Sequence, residues 1–223
     1  MNAVYLSDIP RAVTALAEWC ACLVYVSGHT RRLHGPRLWG ALGAGLAVQC
    51  LFLTLTDGLR LLFWLPCMAA AVGLMLGLIS LCCDMSLASA VYCTVRAFVL
   101  AEFAASLEWQ LYSYSVYALG WKGDTVRKGI LFWVILAAVY AAVFGGMRWL
   151  ESRRTDPRSG TAFRLRELTS PALIALACFF LSNLSFVYSN TPFTSSELTD
   201  IYNIRTLADL AGVAMLYAYH VQR

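Results

Sequence analysis

The sequence predicts an all-α membrane protein, a polytopic bundle of seven transmembrane helices forming one domain over residues 1–223. Two observations carry that class. Hydrophobic residues make up 60% and charged residues 13% of the chain, with a mean hydropathy of +0.64, whereas soluble domains carry about 25% charged and about 45–50% apolar residues. The apolar residues also fall into seven long stretches separated by short polar connections, and runs of roughly 18 or more apolar residues read as membrane helices.

The first helix is expected over 9–27, with Pro10 in its opening turn, where a missing N–H costs nothing. No basic region or small-residue cleavage site accompanies it, so it reads as an anchored helix and not as a removable signal peptide. The second and third follow over 38–56 and 61–83, joined by Asp57-Gly58, and the fourth covers 87–112 after Asp84-Met85-Ser86. Connections this short require antiparallel neighbours. Gly73-x-x-x-Gly77 in the third helix permits close helix approach; it is expected to pack within the subunit, with a dimer seam as the alternative.

The fifth helix spans 129–149, and a long polar loop over 151–168 separates it from the last two. The sixth, 170–188, opens on Ser170-Pro171, an N-cap followed by proline. The seventh, 197–222, follows a capping box, Thr194-Ser195-Ser196-Glu197, with Asp200 adding negative charge to the first turn.

Loop charge predicts orientation. Arg31, Arg32, Arg37, Arg148, Arg153, Arg154, Arg158, Arg164, Arg166 and Arg223 fall on one side; Arg11, Arg60, Lys122, Arg127 and Lys128 fall on the other. The richer side is cytoplasmic, which places the N-terminus outside and the C-terminus inside. The cysteines lie mostly within apolar segments, where free Cys behaves as a small hydrophobe. No C-x-x-C spacing supports a zinc or redox site. The net charge of +4 reflects loop arginines and implies no nucleic-acid partner.

Charged residues inside the spans are the chemical signal. The first helix carries Glu18, the fourth Arg96, Glu102 and Glu108, and the seventh Arg205 and Asp209. A charge at mid-bilayer costs about 2.5–3.5 kcal/mol on insertion scales, so such groups face the interior and pair. Arg205 and Asp209 are four residues apart on one helix face and are expected to pair. Arg96 and Glu102 are not, which leaves Glu18 or Asp209 as partners for Arg96. Glu108, near the outer end, is expected to be hydrated. Either the charges fix helix order, or they form a bistable polar network that re-pairs on ligand binding.

Around the outer ends lie Trp109, Tyr112, Tyr114, Tyr117 and Trp121, interfacial anchors or a ligand vestibule. Ser182, Asn183, Ser185 and Ser189 give the sixth helix a polar stretch able to bond between helices. Catalytic patterns are missing: His29, His34 and His220 have no partner at a metal or triad spacing, and no P-loop or H-E-x-x-H occurs. No cofactor or metal site is expected.

Two stretches go further than composition. RAFVLAEFAASLEWQ over 96–110 is one. The other is LSNLSFVYSNTPF over 181–193, continuing through IRTLADLAG over 204–212 to YAYHVQ over 217–222. They resemble the membrane sensor region of bacterial GHKL-type sensor histidine kinases, relatives of the agr-type quorum-sensing receptor kinases. The resemblance implies a multi-pass domain in the bacterial plasma membrane that binds an extracellular signal, often a peptide. It implies two-component signal transduction through a cytoplasmic dimerisation helix with a phosphoacceptor His, then a GHKL ATPase domain. Homodimerisation and contact with a response regulator would run through that cytoplasmic part. N-box and G-box motifs are absent from 1–223, and His220, at the membrane exit, is not read as the phosphoacceptor. The chain is therefore expected to be the sensor half and no enzyme itself.

On this reading Glu18, Arg96, Glu102, Arg205 and Asp209 form the signal-coupling network. Glu108, Trp109, Tyr112, Asn183, Asn190 and Phe193 line the ligand vestibule. The alternative is a small transporter or proton-coupled carrier using Arg96 and Glu102 as its intramembrane site. The absence of helix-breaking prolines within spans, except Pro66 near one end, argues against the broken helices of transporters.

Overall fold

The computed structural model describes residues 9–57, 61–118, 125–153, 165–187 and 197–222; within these, the side chains of 61, 62, 64, 117, 118, 165, 166, 183–187 and 197–203 are outside the description. The described residues are helical, without strands. The helices are α1 (Arg11–Gly28), α2 (Pro36–Leu55), α3 (Leu61–Cys82), α4 (Leu87–Ser113), α5 (Thr125–Ser152), α6 (Thr169–Val187) and α7 (Glu197–Gln222). A π-helical turn, Tyr114–Ala118, prolongs α4, and a 3₁₀ turn, Leu165–Leu168, leads into α6.

Four stretches among the described residues are long and apolar enough to cross a membrane: Pro36–Leu55, Leu65–Cys82, Leu87–Val116 and Thr125–Ser152. They give the chain its membrane character. The sequence-based expectation of seven such spans is thus met by four. In α6 the apolar stretch Thr169–Ser182 is shorter. Of the rest, α1 carries Arg11 and Glu18, and α7 carries Arg205, Asp209 and His220.

Contacts at the helix ends fix an alternating up–down order. At one face, Arg11 of α1 meets Asp57, just past α2, at 3.0 Å. At the other, an antiparallel bridge between Arg31 and Cys83 ties the α1–α2 connection to the α3–α4 connection. Two backbone bonds reinforce it, Arg32 N–H to Cys82 O at 2.8 Å and Asp84 N–H to Thr30 O at 2.9 Å. On the same face Arg148 of α5 donates to Ser27 O at 3.2 Å. Tyr219 of α7 donates to Glu167 O, beside α6, at 3.0 Å. Arg31, Arg32, Arg148 and Arg153 all belong to this face.

Helix α4 is the axis. It touches α1, α3, α5, α6 and α7, and 72% of its spanning window is buried. Its start is capped by Ser86, whose hydroxyl accepts from Ser89 N–H at 3.2 Å. Ala97, Ala101, Ala104 and Ala105 are all buried, and small side chains let neighbouring backbones come close. Gly212 does the same from α7: a Cβ there would lie 2.5 Å from Cys178 Sγ of α6 and 2.9 Å from Val99 Cγ1 of α4.

The Gly73-x-x-x-Gly77 expectation is corrected. Both glycines are exposed, and a Cβ added at either meets nothing within 4 Å. Helix α3 packs instead through Met68, Ala71, Met75, Ile79 and Cys82, spaced by three or four residues along its opposite face.

Candidate functional site

The buried ionic groups form a seam that runs along α4. At the end nearest the arginine-bearing face, Arg96 of α4 forms an ion pair with Glu151 in the last turn of α5, both side chains under a tenth exposed. The second oxygen of Glu151 lies 3.6 Å from Nε2 of His220 on α7. The Arg96 guanidinium also sits 5.3 Å from the ring centre of Tyr25 on α1 and 5.6 Å from that of Tyr92, a cation–π arrangement in a desolvated place. Four helices therefore converge on one arginine.

The middle level joins α4 to α7 directly. Arg205 Nη2 donates to Glu102 Oε2 at 3.0 Å, and Ser106 Oγ donates to Asp209 Oδ2 at 2.8 Å. Ser182 of α6 also faces Asp209. To the side, Gln49 of α2 donates to Glu18 of α1 and to Ala71 O of α3, the latter at 3.5 Å. Glu18 is fully buried, and its other oxygen has no hydrogen-bond partner.

The pairing adds to the sequence-based expectation in one place and differs from it in two. Arg205 and Asp209 lie within electrostatic reach of each other, and each also bonds to α4, because their shared face is turned onto that helix. Arg96 pairs with neither Glu18 nor Asp209 but with Glu151, a residue the sequence reading assigns to the polar loop. Glu108 is buried despite lying near a helix end: it is 0% exposed, with Tyr140 of α5 within electrostatic reach. Arg96 and Glu102 occupy separate ion pairs, as their spacing predicts.

Among the vestibule residues, Trp109 is buried with its ring centre 5.6 Å from that of Tyr112, which in turn meets Phe132 of α5 edge-on at 5.3 Å. Tyr114 is half exposed. The side chain of Asn183 lies outside the described residues, as do those of Tyr117 and Ser185, and so do residues Trp121, Ser189, Asn190, Phe193 and 194–196 of the capping box.

Glu151, Gln49, Tyr25 and Tyr92 are the members that sequence reasoning misses. The signal for Glu151 is its spacing: Phe144, Met147 and Glu151 fall at i, i+3 and i+7 and are all buried, one continuous stripe on α5. Gln49 stands out only as a lone amide in an apolar run.

A cleft of about 290 Å³ lies elsewhere, between α1, α2 and α3, against Trp19, Gly45, Gln49, Gly73, Gly77 and Leu78. It is almost wholly apolar and touches the seam only through Gln49. Among the described residues no group of three or more His, Cys, Asp or Glu side chains is placed to hold a metal ion. Charges in a low-dielectric interior must find partners, and here each has few to choose from. A scan against protein-family models, a search of curated proteins and a search of solved structures each return no match.

Proposed function

We propose that this chain is the membrane-embedded sensor domain of a bacterial receptor, of the kind coupled to two-component histidine kinases. Its seven helices cross the plasma membrane with the N-terminus outside and the arginine-rich face toward the cytoplasm, in keeping with the retention of basic residues on that side. An extracellular signal acts on the outer ends of α4, α6 and α7. The output leaves through α7 toward a kinase.

One observation carries this reading: α7 is joined to the central helix by buried polar groups at successive levels, Ser106–Asp209, Glu102–Arg205 and the Arg96–Glu151–His220 cluster. Apolar contacts slide with little change in energy, whereas directional pairs favour a few discrete registers, which suits a switch. A signal shifts such an equilibrium only if it binds the two registers differently, so it must contact a helix that moves. The stretches that resemble receptor kinases, 96–110 and 181–193 with 204–212 and 217–222, include Arg96, Glu102, Ser106, Arg205, Asp209 and His220 of this seam. A carrier centred on Arg96 and Glu102 would need both at one site, and they belong to separate pairs.

The test joins the chain in frame to a reporter histidine kinase in a bacterial host and measures output against conditioned-medium fractions. Arg205→Ala and Asp209→Ala should each lock the output in one state while membrane insertion is unchanged. Output that still responds normally in both variants would contradict the reading.

A further inference from the structure

Glu108 stands apart from the other buried ionisable side chains among the described residues. Arg96, Glu102, Glu151, Arg205 and Asp209 all have ionic or hydrogen-bond partners, and Glu18 has Gln49. Glu108 is fully enclosed, yet neither of its carboxyl oxygens has a hydrogen-bond partner. Among the described buried carboxyls it is the one with both oxygens unsatisfied. An ionised carboxylate taken from water without a partner is among the most costly groups to bury. A conserved-volume apolar residue would be more stable there unless something completes the site.

The surroundings indicate what completes it. Tyr112 lies one turn further out on the same face of α4, with Trp109 and Phe132 against it at 5.6 and 5.3 Å between ring centres. Phe132 continues to Trp133 at 5.4 Å, and Trp133 is 62% exposed. On the inner side Tyr140 of α5 lies within electrostatic reach of Glu108, but its hydroxyl is committed to Val13 O at 2.9 Å. The π-helical turn Tyr114–Ala118 follows directly, and such widened turns recur at functional sites. An unpaired carboxyl thus sits one helical turn from Tyr112, the start of a run of rings through Phe132 to the exposed Trp133. Aromatic faces attract cations, and alkylammonium groups are the ligands that combine a carboxylate contact with ring contacts.

We infer that Glu108, with Tyr112 and Phe132 above it, is the binding site for an alkylammonium group, carried by a small amine or by a lysine side chain of a peptide. This rests on the receptor reading and names the chemistry of its signal. Entry requires the outer end of α4 to separate from α5, which places binding on the helix that holds the α7 seam.

The full chain in lipid nanodiscs is titrated with butylammonium, with neutral butanol, and with lysine amide against its Nε-acetylated form, following tryptophan fluorescence and thermal unfolding. Saturable response to butylammonium, none to butanol, and a loss of about tenfold or more in affinity in Glu108→Gln are expected. Response to lysine amide but not to its acetylated form extends the assignment to peptides; response to butylammonium alone restricts it to small amines. Tyr112→Leu should weaken binding while leaving Glu108 in place, so a folding defect in Glu108→Gln does not protect the idea. Equal response to butanol, unaltered binding in both variants, or no saturable response would overturn it. Binding that leaves the reporter output of the fused kinase unchanged would instead defeat the receptor reading and leave the site standing.

Discussion

In the α2–α3 hairpin only 22% and 28% of the spanning windows are buried, and the exposed faces carry Trp39, Leu51, Leu55, Phe63 and Leu81. Helix α4 is 72% buried, and it carries Arg96, Glu102 and Glu108 in its interior. The greasiest helices are therefore the peripheral ones, and the charged ones are central. In water the gradient runs the other way. In a bilayer, hydrocarbon surrounds the bundle, so apolar surface drives no helix inward, and polar groups gather where they can satisfy one another. The difference also sorts the helices by content: α2 and α3 present apolar faces outward, while α4 and α7 hold buried polar pairs between them.

Substitutions should separate the two regions. The largest loss is expected for Arg96→Ala, which leaves Glu151 buried without its guanidinium. Removing one partner of a buried pair costs about 3–5 kcal/mol, read by unfolding in detergent or nanodiscs. Gly212→Ala should cost about 1–3 kcal/mol by overpacking, because the new Cβ meets Cys178 and Val99 at the α4–α6–α7 contact. Ser106→Ala removes one bond to Asp209 and should cost about 0.6–1.7 kcal/mol, the range measured for interhelical bonds in membranes. In the peripheral region Gly73→Ala and Gly77→Ala should change stability by less than about 0.5 kcal/mol. A large loss at either glycine would mean that this face is packed against something, and the contrast between the regions would fail.

Much of the fold was legible in the sequence. The expected boundaries 87–112 and 197–222 match Leu87–Ser113 and Glu197–Gln222, and the others agree to within a few residues. Length and apolarity set those limits, and both are local properties. Partnership is not local. Arg205 and Asp209 share a face, and their spacing alone suggests a pair, but it cannot reveal that α4 presents Glu102 and Ser106 to that face. Glu151 was hidden by its neighbours Ser152, Arg153 and Arg154, which read as loop, although α5 runs one more turn and carries it inward. Glu108 shows the reverse error: proximity to a helix end suggests water, whereas the side chain is fully buried.

The central claim is that α7 is coupled to α4 through Glu102 and Arg205, and a charge swap tests it most directly. Glu102→Arg, Arg205→Glu and the double variant are compared with the wild type by unfolding in nanodiscs. Each single exchange places like charges together and should destabilise the protein strongly. The double exchange should recover most of that loss, with a coupling energy of about 1–3 kcal/mol. Losses that simply add in the double variant would show that the two side chains are not partners, and the α4–α7 switch would have no basis.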